Sequence, residues 1–439
     1  MNITDEMNKA LDLVQNTNQH VFITGKAGTG KTTFLKYLIK NCNKNCIVAA
    51  PTGIAAIHAG GVTLHSLFGI PFKPISPTEH LDNKFTKYKA SMLLQLNVLI
   101  IDEISMVRPD VIDTIDRKLR WVRKSEEPFG GVQIVMFGDL FQLPPVVKKE
   151  EKEILENYYD GCYFFDALVW REIGFNVIEL TQIFRQTDEN FIRLLNNIRV
   201  YKVSNDEIDL LGEHKNKEVS TTFNDERIHI CTHKREVDKI NNTLLGEYQW
   251  TNEAKLKGKF NESAVPCDME LRLRVGARVM ALCNNPKDGY YNGMLGEVIK
   301  LTKSHVTVRM DNNTVVKFEP HKWSCNQFVL KDNQIISQEI GSCTQFPLAL
   351  AWAITIHKSQ GLTFDNIVLH VTRTFCPGQL YVALSRCRTL DGITLDSYIT
   401  KRMVIPEYAL IDFMRTYKAD NDWFGKRIKN GNEKNQSDE

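Results

Sequence analysis

A glycine-rich stretch near the start of the chain combines residue types that bind phosphate. It reads "GKAGTGKTT", Gly25–Thr33, fits the pattern G-x-x-x-x-G-K-[ST], and lies between a short apolar run and a helical pattern. Backbone N–H groups of such a turn point inward around phosphate oxygens, and the helix N-terminus adds a favourable dipole. Lys31 is then placed to reach the terminal phosphates, and the Thr32 hydroxyl to ligate Mg²⁺. The nucleotide-binding residues predicted from this turn are Gly28, Thr29, Gly30, Lys31, Thr32 and Thr33.

Two adjacent carboxylates, Asp102 and Glu103, end an apolar run in the stretch "VLIIDEISM". Carboxylates at the end of a buried strand are costly unless a cation lies beside them. We expect Mg²⁺ to bind Asp102 and neutralise its charge, and we assign Glu103 the role of general base for the attacking water. The alternative for the two carboxylates is a solvated helix cap, and the alternative for the glycine-rich stretch is a turn without a ligand. The solvated cap would require the match of the glycine-rich stretch to the phosphate-binding pattern to be a coincidence.

A neutral amide, Gln142, follows the next apolar run in "GGVQIVMFGDLFQLPP". Ligands of parallel sheets bind at the carboxyl ends of the strands, so the strand ending at Phe137 should end beside the γ-phosphate. Gln142 could then donate a hydrogen bond to a phosphate oxygen and lose that partner on hydrolysis. Pro144 and Pro145 stiffen the loop, so we predict a γ-phosphate sensor; a plain polar loop residue is the alternative.

The elements that position these residues are predicted by alternating strand and helix patterns, which indicate α/β domains with parallel sheets covered by helices on both faces. In the first part of the chain we predict strands at 21–23, 46–50, 97–101 and 132–137, and helices at 5–14, 31–39 and 53–59. From about Val177 the alternation restarts, with strands at 177–180, 228–232 and 367–371, and helices at 190–199, 235–245 and 379–386. The sequence therefore predicts two domains of similar kind.

Two stretches interrupt this alternation. Residues 69–83 contain three prolines in "GIPFKPISPTEHLDN" and can hold little regular structure. Residues 297–341 contain short alternating runs separated by "DNN", which is typical of an antiparallel hairpin. We predict the following limits: 1–176 for the first domain with an insertion at about 65–85, 177–296 and 342–400 for the second, 297–341 for an inserted β module, and 401–439 for a C-terminal helix and polar tail.

The composition is that of an ordinary globular protein. Of the 439 residues, 43% are apolar and 25% are charged, and the formal net charge is only +2, so any polyanion site must depend on local positive charge. No apolar run is long enough to cross a bilayer, and the first residues lack the features of a secretory signal. Ten scattered cysteines, of which Cys42 and Cys46 are closest, show no zinc pattern and read as reduced core thiols of a cytoplasmic protein.

The motifs, taken in order, resemble those of superfamily one helicases of class B, and among them the PIF helicases. The resemblance rests on "GKAGTGKT", "APTGIAA", "TLHSLFG", "DEISM", "PFGGVQ", "GDLFQLPPV", "LTQIFRQTDENFIRLLNNIR", "HKSQGLTF" and "YVALSRCR", and covers roughly the first 400 residues. The stretch "PFGGVQ" beside "DLFQLPP" looks like the signature that separates PIF helicases from RecD-type and phage Dda-type relatives. The family has long N-terminal extensions in eukaryotes, so this chain looks like a compact bacterial or phage form.

This resemblance implies two RecA-like domains, with a wedge inserted in the first and a small β-barrel in the second, and hydrolysis of ATP with Mg²⁺. Arg185 and Arg386 resemble residues that reach the γ-phosphate, and an arginine so placed contributes on the order of 10³–10⁵ in rate. Gly361 resembles a backbone contact to the phosphates. The family often has a glutamine that reads adenine where this chain has Met7, so the resemblance implies hydrolysis but not this adenine contact.

The resemblance also implies a track for one DNA strand, because small hydroxyls and loop amides allow a contact that releases in every cycle. Single strands are further held by aromatic stacking, worth about 1–3 kcal/mol per base. His65 could instead be a core histidine, and the proline-rich insertion could be a plain surface loop; Phe72 is our choice for an apolar wedge tip. The predicted DNA-binding residues are Pro51, Thr52, Gly53, Thr63, His65, Phe72, Thr232, His233, Asn292, Gly293, His357 and Lys358.

The function implied by resemblance is an ATP-dependent DNA helicase that moves 5′ to 3′ on single-stranded DNA and unwinds duplexes and forks in repair, recombination and replication. We expect a cytoplasmic monomer that acts at single-strand–duplex junctions, with G-quadruplexes and RNA–DNA hybrids as possible substrates and telomere maintenance as a family role. The alternatives are a RecD-like or Dda-like helicase and an ATP-switched clamp on single strands. A P-loop kinase is a poor alternative, because a second α/β half with two arginine motifs has no purpose there.

Overall fold

The computed structural model of the chain describes residues 3–81, 85–215, 227–259, 265, 267–285, 287–290, 292–331 and 334–420. The chain divides into two units. Residues up to 184, 326–338 and from 407 onward form the first unit, and residues 185–325 and 339–406 form the second. No helix within the described ranges has both the length and the apolar character needed to cross a membrane.

The first unit contains a six-stranded sheet in which all neighbouring strands run parallel. Its strands are β1 (Val21–Gly25), β2 (Cys46–Ala50), β3 (Val62–Thr63), β4 (Val98–Ile101), β5 (Gln133–Phe137) and β6 (Asn176–Leu180), in the order β3-β2-β4-β5-β1-β6. Every residue of β1, β4 and β5 is buried, as expected when helices cover both faces of a parallel sheet. The predicted α/β class is thereby confirmed.

The helices of this unit are α1 (Asp5–Asn16), α2 (Lys31–Asn41), α3 (Gly53–Ala59), α4 (Leu64–Phe68), α5 (Lys87–Leu94), α6 (Pro109–Arg123), α7 (Lys149–Leu155) and a C-terminal helix, Tyr408–Asp420. Short 3-10 turns occur at Ile104–Met106, Pro128–Gly131, Phe164–Asp166 and Leu168–Arg171. Helix α1 begins where the sequence predicts, because the Thr4 hydroxyl accepts a hydrogen bond from the Met7 backbone N–H and caps the first turn.

The segment "PFGGVQ" fixes the amino end of β5. Phe129 and Gly130 both have positive φ angles, and a Cβ on Gly130 would lie 2.8 Å from the Leu119 carbonyl oxygen of α6. The Phe129 N–H donates to Asp116 at 2.6 Å, and the Arg123 guanidinium donates to the Gly130 carbonyl at 2.6 Å. The close approach of backbone to helix requires glycine at position 130. The segment lies at the amino ends of the parallel strands, whereas the phosphate loop lies at their carboxyl ends. Its role in this fold is therefore to anchor β5 on α6.

The remaining strands are β7 (Ile228–Cys231), β8 (Trp250–Glu253), β9 (Lys255–Gly258), β10 (Glu270–Leu273), β11 (Arg278–Ala281), β12 (Leu295–Leu301), β13 (Val306–Met310), β14 (Val315–Phe318), β15 (His321–Lys331), β16 (Gln334–Gln345), β17 (Leu348–Leu350), β18 (Ala353–Thr355), β19 (Ile367–His370) and β20 (Ile393–Leu395).

The second unit contains a parallel sheet in the order β18-β7-β19-β20 and a five-stranded antiparallel sheet in the order β14-β13-β12-β11-β17. Two smaller sheets pair β10 with β8 and order the other strands β15-β16-β9. The end of β15 and the start of β16 fall in the segment 326–338, which is grouped with the first unit. The helices are α8 (Glu189–Arg199), α9 (Asn205–Glu213), α10 (Lys234–Leu245) and α11 (Gln379–Leu384), and a 3-10 turn occurs at Lys401–Met403.

The structure differs from the predicted domain limits in two places. The strand predicted at 177–180 was assigned to the second domain, but β6 pairs in parallel with β1 and closes the first sheet. The inserted β module was predicted at 297–341, but β11 and β17, outside those limits, belong to its five-stranded sheet. A strand pattern shows that a segment is extended and does not show which sheet it joins, because pairing partners lie far away in sequence.

The predicted insertion in the first unit has the expected irregular backbone. Residues 69–81 contain no helix or strand, and 82–84 lie outside the described residues. The predicted polar tail falls mostly on residues 421–439, which also lie outside the described part of the chain.

Candidate active site

The phosphate loop connects β1 to α2, and its glycines are required by close backbone contacts. A Cβ on Gly25 would lie 2.7 Å from the Leu180 carbonyl oxygen of β6. Gly30 caps α2 in the left-handed region with a φ of +79°, which glycine adopts without strain. Thr29 is buried and its hydroxyl donates to the Lys26 carbonyl at 3.0 Å. The loop is therefore a tight turn that leads into the N-terminus of an eleven-residue helix, as the motif predicts.

The Lys31 side chain folds back over this loop. Its Nζ atom donates to the carbonyl oxygens of Gly25 at 2.7 Å and Lys26 at 3.0 Å. Thr32 and Thr33 are exposed in the first turn of α2. The Lys31 ammonium group thus lies against the phosphate loop. A bound phosphate could replace the two carbonyl oxygens as its hydrogen-bond acceptor.

Asp102 and Glu103 follow β4 at the carboxyl edge of the same sheet. The Asp102 N–H donates to the Ala49 carbonyl at 2.9 Å, and Asp102 Oδ1 accepts from the Glu103 N–H at 2.9 Å. Burial raises the pKa of the Asp102 carboxyl to about 6, and this outweighs the lowering by the Glu103 N–H and by the charge of Lys31. Glu103 has a φ of +51°, a strained conformation for a residue with a Cβ, of the kind that functional sites often contain.

The donor set at this edge fits a magnesium ion. Asp102 is a carboxylate whose charged form is disfavoured by burial, and Lys31 lies close enough to lower its pKa. Thr32 offers an exposed hydroxyl on the first turn of α2. Carboxylate and hydroxyl oxygens, together with phosphate and water oxygens, are the ligands that Mg²⁺ prefers. Thr32 and Asp102 are therefore the residues of this chain that would hold it.

Gln142 lies in the loop that follows β5, and it is 7% exposed. Its backbone N–H donates to the Asp139 carbonyl at 3.0 Å, and its Nε2 atom lies 3.3 Å from Asp139 Oδ2. Asp139 is fully buried. Because β4, β5 and β1 are neighbours in the sheet, their carboxyl ends bring Asp102, Gln142 and the phosphate loop to one edge. The arrangement agrees with the predicted sensor position, and the role itself remains a prediction.

Met7 belongs to the core that supports the phosphate loop. It is 1% exposed and packs with the residues of α1, α2 and the central sheet. Its Cε atom lies 3.9 Å from the position that a Cβ on Gly30 would take. The position where the family often has glutamine is therefore filled by an apolar side chain in this structure.

The two predicted arginines lie in the second unit and take part in one hydrogen-bond network. Arg386 is 1% exposed, and its guanidinium donates to the carbonyl oxygens of Val382, Ser359 and Leu362 and to the Ser385 hydroxyl. Charged groups so deeply buried require hydrogen-bond partners, and here the partners come from two motifs of the sequence. In this structure Arg386 is therefore held by its own unit, and a contact with phosphate would require an exchange of these partners.

Arg185 is half-buried and reaches the same segments. Its Nη1 atom donates to the Ser385 carbonyl at 3.2 Å, and its Nη2 atom lies 3.4 Å from the Gly361 carbonyl. The adjacent Gln186 is buried and donates to the carbonyls of Ser385 and Cys387. Gly361 is exposed, has a φ of +80° and has open space where a Cβ would be. The three motifs predicted separately in the second half of the chain thus meet at one place.

The predicted DNA-binding residues of the first unit follow β2 and β3. The hydroxyls of Thr52 and Thr63 accept from the N–H groups of Ala55 and Ser66, so both threonines cap short helices. Pro51 and Gly53 flank the first of these caps and are half-exposed. The caps give the two threonines a structural role, while their hydroxyl protons can still be donated.

His65 and Phe72 form an aromatic pair in the first unit. Their ring centroids are 4.4 Å apart with an interplanar angle of 7°, and Phe72 is 82% exposed. The His65 Nδ1 atom is buried and makes no hydrogen bond to any part of the chain that the structure describes. Phe72 is therefore solvent-exposed, and both its role as a wedge tip and the alternative of a core histidine for His65 remain predictions.

Four of the six predicted residues of the second unit lie at the carboxyl ends of β7 and β18. His233 and His357 are exposed, and both rings stack on Phe375, at centroid distances of 5.4 Å and 6.5 Å. Lys358 is exposed beside His357, whereas Thr232 is 4% exposed. Thr232 therefore has little surface for a ligand.

The remaining two residues of the prediction, Asn292 and Gly293, lie in the turn before β12. The Asn292 N–H donates to the Asn284 side chain at 2.8 Å. Gly293 has a φ of +89°, and a Cβ there would lie 3.1 Å from Leu362. This turn thus packs beside the segment that holds Arg386.

Phe375 is a candidate that the sequence analysis missed. It is 53% exposed, follows β19 in "TRTFCPGQ", and its ring stacks with both predicted histidines. A large apolar residue in a loop, two positions before a proline, was the available signal. Its significance depends on the order β18-β7-β19, which places the loops after these three strands side by side.

Comparison with known proteins agrees with this geometry. A family model described as PIF1-like helicase matches residues 2–208. The ATP-dependent DNA helicase PIF1 of Xenopus laevis is 34% identical over 418 residues, which are 91% of this chain and 62% of that protein. The chain thus spans 62% of the length of this curated relative.

Solved structures match over nearly the whole chain. Pif1 from Bacteroides sp in complex with ADP-AlF4 is 65% identical, with a TM-score of 0.92 over 96% of this chain and 98% of that chain. Bacteroides Pif1 bound to ssDNA is 64% identical, with a TM-score of 0.71 over the same shares.

Proposed function

The chain belongs to the PIF1-like helicase family, and from this premise we propose that it is an ATP-dependent DNA helicase that moves 5′ to 3′ on single-stranded DNA and displaces the complementary strand. The direction rests on family resemblance. The similarity to a relative named as an ATP-dependent DNA helicase, and to a structure bound to ssDNA, supports the choice of substrates.

One observation carries the hydrolytic part of the proposal: a lysine on a phosphate loop and a buried carboxylate lie at the carboxyl edge of one parallel sheet. Burial raises the pKa of Asp102, and the charge of Lys31 partly offsets this rise. Lys31 holds the terminal phosphates of ATP, and Glu103 accepts a proton from the attacking water. Mg²⁺, when bound by Thr32 and Asp102, supplies positive charge to the phosphate oxygens.

Other residues complete this proposal for hydrolysis. Arg185 and Arg386 supply further positive charge to the transition state, and Gly361 offers a backbone contact to the phosphates. Gln142 senses the γ-phosphate, and its buried partner Asp139 transmits the change to the loop. Gly28, Thr29, Gly30 and Thr33 contribute backbone N–H groups around the phosphates.

The strand-binding part rests on two exposed aromatic groups. Phe375, which is 53% exposed and lies beside His233 and His357, offers a platform for a base in the second unit. In the first unit, Phe72 on His65 forms the tip of the insertion and separates the strands of a duplex. Stacking does not depend on base identity, so it suits a protein that moves along any sequence.

We further propose that the protein acts as a monomer at single-strand–duplex junctions and forks, in repair, recombination and replication. G-quadruplexes, RNA–DNA hybrids and telomeric ends are candidate substrates by family resemblance alone. All ten cysteines are free, which fits a reducing cytoplasm.

The decisive experiment compares partial duplexes with a 5′ tail and with a 3′ tail, each with and without ATP. We expect strand displacement from the 5′-tailed duplex only, dependent on ATP and absent in Lys31→Ala. Displacement from the 3′-tailed duplex would reverse the proposed direction. Tight ATP-dependent binding of the 5′ tail without displacement would identify a clamp instead of a helicase.

A further inference from the structure

A pair of cysteine thiols in the first unit is not used by the proposed activity. The Cys46 thiol donates a hydrogen bond to the Cys42 sulfur at an Sγ–Sγ distance of 3.2 Å. Cys42 follows the last residue of α2, and Cys46 is the first residue of β2, so only three residues separate them. Both side chains are half-exposed while packing against the apolar core. The two cysteines are free thiols, as expected, and their sulfur atoms are in direct contact.

The loop between the two cysteines is held in place by Lys44. Its ammonium group donates to the Thr17 carbonyl and to Gln133 Oε1 at 3.0 Å, so it is anchored on the end of α1 and the start of β5. The conformation that brings the sulfurs together is therefore fixed by contacts outside the loop. A positive charge beside a thiol also favours the thiolate, which is the reactive form.

We propose that Cys42 and Cys46 form a redox-sensitive site that low-molecular-weight disulfides oxidise. Cys42 is the attacking thiolate, and Cys46 is the resolving thiol. The Cys42 thiolate attacks one sulfur of the reagent, forms a mixed disulfide and expels one thiolate. Cys46 then loses its proton to solvent and attacks the Cys42 sulfur, which forms the Cys42–Cys46 disulfide and expels the second thiolate. Two electrons pass from the pair to the reagent, which is thereby reduced to two thiols.

The electrostatics of the pair assign these roles. The hydrogen bond from Cys46 lowers the pKa of the Cys42 thiol to about 6, and the backbone N–H and charge of Lys44 add to this effect. The same hydrogen bond, together with burial, raises the pKa of Cys46. Burial raises the pKa of each of the other eight thiols, Cys162, Cys231, Cys267, Cys283, Cys325, Cys343, Cys376 and Cys387. Cys42 is thus the thiol in which the ionised form is favoured.

The pair lies away from the phosphate loop. Helix α2 has eleven residues and begins at Lys31, so its far end is about 16 Å from that lysine. Cys46 is the first residue of β2 and lies at the amino end of that strand, whereas the phosphate loop lies at the carboxyl ends of the strands. We therefore expect the oxidised protein to bind nucleotide with unchanged affinity, and the inference is independent of the proposed helicase function.

The test treats the folded 439-residue protein with a small excess of oxidised glutathione at pH 7, blocks the remaining thiols with an alkylating reagent, and maps the products by mass spectrometry. We expect a Cys42–Cys46 disulfide to form first, before any change at the other cysteines. In C46S the reaction with oxidised glutathione should stop at a mixed disulfide on Cys42. In C42S the fast reaction with oxidised glutathione should be absent. C162S is the matched control, because Cys162 is also half-exposed in the first unit, and it should leave the reaction unchanged.

The dependence on pH gives a second readout. The initial rate of alkylation at Cys42 should reach half of its maximum near pH 6, whereas an ordinary cysteine does so near pH 8.5. Alkylation of Cys42 at the same rate and pH midpoint as Cys162 would overturn the proposal. So would a first disulfide at any other pair, or a mixed disulfide at Cys42 in the unaltered protein that Cys46 never resolves.

Discussion

Arg185 and Arg386 both donate hydrogen bonds to Ser385, the first to its carbonyl oxygen at 3.2 Å and the second to its hydroxyl at 2.7 Å. The two arginines come from motifs that lie far apart in the chain, and each also bonds to the segment between Ser359 and Leu362. They differ in exposure, since Arg185 is half-buried and Arg386 is 1% exposed. This difference separates the effects expected from their removal.

Replacement of the two arginines by alanine should therefore have unequal consequences. Arg386→Ala removes several buried hydrogen bonds from a charged donor, at about 1–3 kcal/mol each, so we expect a clear loss of unfolding free energy as well as of ATPase activity. Arg185→Ala should leave the stability almost unchanged and lower the DNA-stimulated kcat by about 10³-fold. Urea unfolding and steady-state ATPase assays measure the two effects. A stable Arg386→Ala protein with full kcat would contradict both the packing role and the catalytic role.

Lys31→Ala should abolish ATP hydrolysis and leave binding of single-stranded DNA largely intact. The reason is that the Lys31 ammonium group lies on the phosphate loop, whereas the proposed strand-binding residues lie on other loops. The measurements are ATPase rates and the Kd for a fluorescent oligonucleotide. Lys40→Ala, an exposed lysine at the far end of the same helix, is the matched control and should keep both. Joint loss of hydrolysis and DNA binding in Lys31→Ala would mean that the two sites are not separate.

Gln142→Ala should uncouple hydrolysis from unwinding. Its side chain lies beside the buried Asp139, so its removal breaks the link between the phosphate edge and the loop while the phosphate loop itself is untouched. We expect the number of base pairs opened per ATP to fall more than the affinity for nucleotide does. Parallel measurements of ATPase and duplex-opening rates give this ratio. An equal fall in both rates would assign Gln142 to the chemical step alone.

Phe375→Ala should weaken binding of single-stranded DNA. Loss of one stacked base costs about 1–3 kcal/mol, which corresponds to a rise in Kd of roughly 5- to 150-fold. Phe375→Trp keeps an aromatic face and should keep most of the affinity. Tyr398→Ala is the control, because Tyr398 is 61% exposed in the same unit but stacks under Lys215 instead of the two histidines. If both alanine variants bind equally well, the platform has no role in binding.

His20 should make the first unit less stable in acid. Its Nδ1 atom accepts a hydrogen bond from the Ile134 N–H at 2.9 Å, and burial lowers its pKa to about 4. The unfolded value is about 6.5, so below that pH the unfolded chain binds the proton first. This contribution to stability is complete above pH 6.5 and is lost as the pH falls toward 4.

The measurement for His20 is the midpoint of urea unfolding at pH 7 and at pH 5. Asparagine at this position can still accept from Ile134 but does not titrate, so the advantage of the native protein over His20→Asn should shrink at the lower pH. An advantage that stays constant between the two pH values would show that His20 does not titrate as expected.

Local features were predictable because short-range physics determines them. Strand β2 and helix α3 have the predicted bounds, and Lys31, Asp102 and Gln142 lie at the edge where strand ends were expected to hold a ligand. Alternating strands and helices allow few topologies, so the placement of residues at carboxyl ends follows from their order in the chain.

Features that depend on distant partners were not predictable in this way. The same sequence pattern that shows β6 to be a strand is silent on its pairing with β1. The Cys42–Cys46 contact likewise depends on where Lys44 is anchored, on the end of α1 and the start of β5.

The sequence by itself thus determined the phosphate loop, the class of fold and the family, because glycine geometry, apolar periodicity and motif order are local properties of the chain. Only the tertiary structure decided that Arg386 is enclosed by its own unit and that Phe375 stacks with two histidines. The physical reason is that the burial of a side chain and the stacking of two rings depend on which loops and strands pack next to each other. That choice is made by the packing of the whole unit and not by any single segment.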